Sequence, residues 1–128
     1  MLKRLLIGAA IMLSMAQFCY AEESLGEDVT KPFDYEEIEV AGTAVGLTST
    51  KYSPSGSSIA KQAMCVVEGG QDIRFRLDGT NPTSATGTIL SSADVIYLKT
   101  YTDVSQVKFI RASLSSATSA TVNCTYRR

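Results

Sequence analysis

From residue 37 onward the chain alternates apolar and polar side chains in short runs, and each run stops at Gly, Pro, Ser or Asp. Alternation with period two places every second side chain on the same face, as a half-buried strand requires. The runs are EIEVA (37–41), AMCVV (63–67), DIRFRL (72–77), DVIYLK (94–99), VKFIRA (107–112) and ATVNCTY (120–126), with a short IL piece at 89–90. In the last run Ala120, Val122, Cys124 and Tyr126 share one face. Residues 44–47 read as a continuation of the first run through a bulge after Gly42. Gly69-Gly70 reads as a hairpin connection, residues 101–105 as a turn, and the Ser/Pro/Gly-dense stretch 49–62 as a long loop. No stretch holds a helical period with caps. Seven or eight short strands at roughly ten-residue spacing predict an all-β fold, a single antiparallel β-sandwich of immunoglobulin-like or jelly-roll type over residues 36–128.

The N-terminus follows other rules. Residues 1–21 begin with Lys3 and Arg4, continue through an apolar segment and close on Cys19-Tyr20-Ala21 before an acidic stretch. That is the plan of a Sec-type signal peptide cleaved after Ala21. A membrane span needs about 20 clean apolar residues, and Ser14 and Gln17 interrupt a shorter run, so no stable span is expected after cleavage. The expected location is periplasmic or extracellular. Residues 22–35 read as an acidic, extended or disordered leader.

Of the 128 residues, 12 are Lys or Arg and 13 are Asp or Glu. Without Lys3 and Arg4 the mature chain carries a net charge of −3, which argues against a nucleic-acid partner. Residues 22–39 hold eight acids against Lys31, whereas the remainder is mildly basic. Loss of the signal removes Cys19 and leaves Cys65 and Cys124. Two cysteines in an exported chain predict a disulfide. Closing a loop of about 60 residues is worth on the order of 4 kcal/mol in the chain-entropy model.

The stretch IRFRLDGTNPT (73–83) is the candidate site with the most chemistry. Strand geometry sends Ile73, Phe75 and Leu77 one way and Arg74 and Arg76 the other, the arginines about 7 Å apart. Arg74 and Arg76 are thus a candidate interaction face, which Lys99, Lys108 and Arg111 could extend toward an acidic partner. Solvated charge that blunts sheet association is the plainer reading. Asp78-Gly79 supplies turn chemistry, and Pro82 bars the following segment from a sheet interior.

The run Arg76-Leu77-Asp78-Gly79-Thr80-Asn81-Pro82-Thr83 resembles a turn in immunoglobulin-like modules appended to chitobiases. Three segments, residues 38–47, 73–83 and 103–128, resemble a family of small β-sandwich proteins encoded among the structural genes of tailed bacteriophages. The resemblance implies a sandwich fold, no catalytic motif and a virion-associated assembly role. The export signal and cysteine pair set this chain apart and fit an exported relative.

Composition removes much chemistry. There is no histidine, hence neither the usual general base nor the usual metal ligand. Two distant cysteines alone make no zinc site, no phosphate loop occurs, and the acids of residues 36–39 read as the solvated face of a strand rather than a calcium loop. Asp72, Asp78, Asp94 and Asp103 could in principle pair for glycoside hydrolysis, but aspartate at strand ends is ordinary turn chemistry. Tyr52, Tyr97, Tyr101 and Tyr126 could stack on sugars, although tyrosine is also common strand filling. The expectation is a non-enzymatic interaction or assembly protein with a protein partner or self-association and no cofactor. A carbohydrate- or surface-ligand-binding module is the alternative.

Overall fold

A computed structural model describes residues 30–55, 59–115 and 118–128. The segment expected to be a signal peptide and most of the expected leader lie outside the described residues. Eight strands appear in the order β1 (Pro32–Val40), β2 (Val45–Gly46), β3 (Gln62–Glu68), β4 (Ile73–Arg76), β5 (Thr88–Leu90), β6 (Val95–Leu98), β7 (Lys108–Arg111) and β8 (Ala120–Arg127). They form two antiparallel four-stranded sheets, ordered β1-β8-β3-β6 and β2-β7-β4-β5.

The pairing is that of one long hairpin folded over on itself: β1 with β8, β2 with β7, β3 with β6 and β4 with β5. Strands β8 and β3, and β7 and β4, then close side by side. This is jelly-roll connectivity, which decides between the two sandwich types expected.

Several local expectations are corrected by this connectivity. Gly69 and Gly70 both adopt positive φ, as a tight reversal demands. They do not join a hairpin, however: β3 and β4 lie in different sheets, so the glycines turn the chain across the sandwich. Likewise residues 45–46 do not prolong β1 through a bulge but pair with β7 in the opposite sheet. Strand β1 begins at Pro32, inside the segment read as leader. Lys31 and Arg128 exchange backbone hydrogen bonds of 3.1 Å in both directions, so the described N-terminus is tied to the C-terminal strand.

Two short helices break the all-strand expectation. Helix α1 (Ser49–Tyr52) lies in the long loop, and α2 (Tyr101–Gln106) stands where a turn was expected. A capping box starts α2: the Thr100 hydroxyl accepts from Asp103 N, and the Asp103 carboxylate accepts from Thr100 N, each at 3.1 Å. Their apolar residues reach the core. Val104 is fully buried, and the Tyr52 ring lies 6.3 Å from Tyr126 and 6.1 Å from Tyr101.

The core lies between the sheets, built from inward positions of six strands, among them Val40, Val67, Ile73, Leu98, Phe109, Val122 and Tyr126, with Val45 of β2 and Leu90 of β5 packed partly buried against it. Cys65 and Cys124, also fully buried, are register partners on adjacent central strands, with Cα atoms 4.1 Å apart, and are joined by a disulfide.

Candidate functional site

Arg74 and Arg76 are already engaged within the chain. Arg74 Nε donates to the Ser84 carbonyl at 2.8 Å and its Nη1 to the Gly87 carbonyl at 2.9 Å. This holds the 80–87 loop against β4, with Pro82 buried beneath it. Arg76 makes a two-pronged contact with Asp78, at 3.1 and 2.5 Å. The arginine's hydrogen bond, followed by that of Thr80 N, pulls the Asp78 carboxyl down to about 2. Gly79 has φ +76°, as the turn requires.

Phe75, Arg76, Leu77, Asp78, Gly87 and Thr88 line an open recess of about 620 Å³. Its two charges neutralise each other. The wider cationic face does not assemble either. Arg111 is buried, its guanidinium donating to the carbonyls of Ser113 (2.6 Å) and Thr118 (2.9 Å). Lys99 follows β6 in the other sheet, and Lys108 alone stands beside Arg76 as its register partner.

The acids of β1 divide by phase. Glu37 and Glu39 are exposed, whereas Glu36 shares the inward face with Ile38 and Val40 and is buried. Its carboxylate accepts from the Tyr126 hydroxyl and from Thr48 N at 2.9 Å. Burial first, then that carboxylate, pushes the Tyr126 phenol well above its ordinary pKa. Of the four candidate sugar-stacking tyrosines, Tyr52 and Tyr126 are core residues, while Tyr97 and Tyr101 remain exposed.

The surface with unmet potential is the outer face of the β1-β8-β3-β6 sheet. Its registers define rows across the strands. One row runs Tyr35, Thr125, Met64, Tyr97, and the next runs Glu37, Asn123, Val66, Val95. Tyr97, Tyr35 and Val95 are 63, 51 and 44% exposed. Tyr35 is fixed by a 2.8 Å hydrogen bond from its hydroxyl to Asn123. Glu39, Thr121 and Glu68 close one end of the face, and Arg127 and Gln62 the other.

At that second end lies a recess of about 240 Å³ lined by Gln62, Ala63, Met64, Tyr97, Leu98, Lys99 and Arg127. Arg127 Nε is buried there with no hydrogen-bond partner among the described residues, which is uncommon for so strong a donor. The sequence signal for this face is the second phase of the same alternation: residues 62, 64, 66 and 68 with 95 and 97. That signal is weak because the polar phase of a strand is usually only solvated.

Among the described residues no group of three or more His, Cys, Asp or Glu side chains could hold a metal, and no helix is long and apolar enough to cross a membrane. Neither a family model, a curated protein nor a solved structure matches the chain.

Proposed function

We propose that this protein is an exported, non-enzymatic interaction or assembly module that works through the outer face of its β1-β8-β3-β6 sheet. The observation that carries the reading is the apolar patch of Met64, Val66, Val95 and Tyr97 on β3 and β6, with Tyr35 exposed across the polar β8 column on the same sheet face. An exposed apolar patch of this kind with a charged rim is characteristic of interaction surfaces. A buried disulfide fits an oxidising compartment outside the cytoplasm. The lack of histidine and the internal use of Arg74, Arg76, Asp78 and Glu36 leave few free groups for acid-base work. The resemblance to phage virion-associated sandwiches points the same way.

A second reading, carbohydrate binding, draws on Tyr35 and Tyr97, two exposed rings on one face whose stacking surfaces could take sugars. The two separate cleanly. A photo-crosslinking residue at position 97, in cells that make the protein, should give one discrete protein adduct. The same group at position 89, exposed on the other sheet, should give none. Absence of a protein adduct from position 97, together with saturable binding on a glycan array, would replace the assembly reading with the carbohydrate one.

A further inference from the structure

We infer that the occupant of this face is a second copy of the chain, related by a two-fold axis that lies between the paired faces and runs perpendicular to their strands. The inference rests on the proposed role of the face and adds its partner and geometry.

The charge layout selects the axis. The end marked by Glu39 and Glu68 is acidic, with Glu37 one row in; the end marked by Arg127 and Lys99 is basic. Two copies can be laid face to face with a two-fold axis along the strands or across them. Along the strands, each acidic end covers an acidic end and each basic end a basic one. Such like-charge contacts penalise an association. Across the strands, the rows exchange: the Glu39/Glu68 row of one copy lies over the Arg127/Gln62 row of the other, twice by symmetry.

The same operation settles the middle of the face. The Tyr35–Met64–Tyr97 row of one copy then covers the Glu37–Val66–Val95 row of its mate, so Met64 meets Val66 and Tyr97 meets Val95. Aliphatic residues and tyrosine are removed from water together, which is the main source of association energy. Glu68 of the mate comes within side-chain reach of the exposed Lys99 ammonium, over the recess that Lys99 and Arg127 line. The strand axes of the facing sheets stay closely aligned while running antiparallel, within the usual alignment of packed sheets, with about 10 Å between layers.

Four strands at about 4.8 Å and four rows at about 7 Å give a face at the small end of specific interfaces, so the dimer should form at roughly tens of micromolar. The test is sedimentation velocity of the processed protein from about 5 to 500 µM, with Glu68→Lys, Lys99→Glu and, as a charge-matched control off the face, Asp72→Lys. All three positions are exposed; circular dichroism verifies that each variant is folded.

The wild type should dimerise. Each of the first two variants alone should weaken self-association about tenfold by turning two attractions into two repulsions. An equimolar mixture of those two should recover a dimer, because positions 68 and 99 of one variant then face charges of opposite sign at positions 99 and 68 of the other. Asp72→Lys should behave as wild type. A monomer throughout the range overturns the inference, as does a dimer indifferent to the swaps, equally weakened by Asp72→Lys, or not recovered in the mixture. If position 97 crosslinks to a different protein while the chain stays monomeric, the interaction reading stands and this inference falls. If position 97 gives no protein adduct, the reading itself falls.

Discussion

Tyr126 donates its hydroxyl to the buried carboxylate of Glu36, joining the C-terminal strand to its neighbour β1 inside the core. The same carboxylate receives Thr48 N just before α1, so one acid fastens β1, β8 and the loop after β2. Removing the phenol oxygen leaves a buried acceptor short of a donor, which costs more than losing an exposed hydrogen bond. Tyr126→Phe should therefore destabilise the protein by about 2 kcal/mol in urea denaturation. Tyr35→Phe, which removes the exposed bond to Asn123, should cost under about 0.5 kcal/mol. Equal costs for the two would contradict the role assigned to Glu36.

Asp78 gives a pH signature. Its carboxyl falls from an ordinary 3.8 to about 2 in the folded protein, chiefly through Arg76 and then Thr80 N. A folded pKa below the unfolded one means that the contribution is complete above about pH 4 and is lost as pH falls through about 2. Asp78→Asn should accordingly lower the thermal midpoint at pH 6, and the difference from wild type should shrink steadily toward pH 2. An NMR titration placing the Asp78 midpoint near 4 would remove the basis of this expectation. Both groups are solvent-exposed, so the effect should be modest and reduced by salt.

Much of the fold is legible in period-two alternation, because strands such as 62–68 and 120–127 obey it along their whole length. The phase of Glu36 is in the sequence as well, two and four residues from Ile38 and Val40, but the acidity of the segment masks it. Partner choice is another matter. Local pattern says nothing of why β1 should meet β8 at the far end of the chain, or why Gly69-Gly70 should cross between sheets rather than close a hairpin. Those pairings come from burying two sheets against each other, a non-local requirement. Helix α2 is six residues long, too short to display a period; its Thr100–Asp103 cap is the available signal. Alternation makes Arg74 and Arg76 neighbours, but their partners, two carbonyls of the 80–87 loop and the turn's own aspartate, depend on how that loop folds back.

The loop that Arg74 holds can be probed at Gly87. Its φ is +117°, and a Cβ there would meet the Phe75 carbonyl at 3.0 Å and Pro82 Cβ at 3.2 Å. Gly70, with φ +71°, faces open space. Gly87→Ala combines a backbone region nearly closed to other residues with a steric clash, so it should cost about 2–3 kcal/mol. Gly70→Ala, in the milder left-handed region, should cost about 1 kcal/mol. The order of the two denaturation midpoints is the measurement, and a reversal would mean that the 80–87 loop does not close on β4 as described.

Ala93 offers the converse experiment. It has φ +74° in the turn before β6, where its backbone N–H bonds to the Val67 carbonyl at 2.7 Å. An L-residue with a Cβ pays about 1–2 kcal/mol for that region, while glycine brings back part of this as unfolded-state entropy. Ala93→Gly should raise stability by about 0.5–1 kcal/mol. A destabilised variant would argue against a left-handed residue at this turn.

The disulfide makes the last prediction. Cys65 and Cys124 are fully buried, so a reductant reaches them only when the β3–β8 pair opens. Thiol blocking in denaturant without reductant, followed by intact-mass measurement, should find no free thiol on either residue, and two when reductant is added first. Reduction by dithiothreitol without denaturant should be slow and should accelerate with urea in step with unfolding. Replacing both cysteines with Ala should lower stability by about 2–5 kcal/mol, because a span of 59 residues in the unfolded chain is then released. Prompt reduction in native buffer would show that the central strands of the proposed interaction face open far more readily than their burial implies. The platform bearing Met64, Val66, Asn123 and Thr125 would then be too mobile to present the face as a preformed surface.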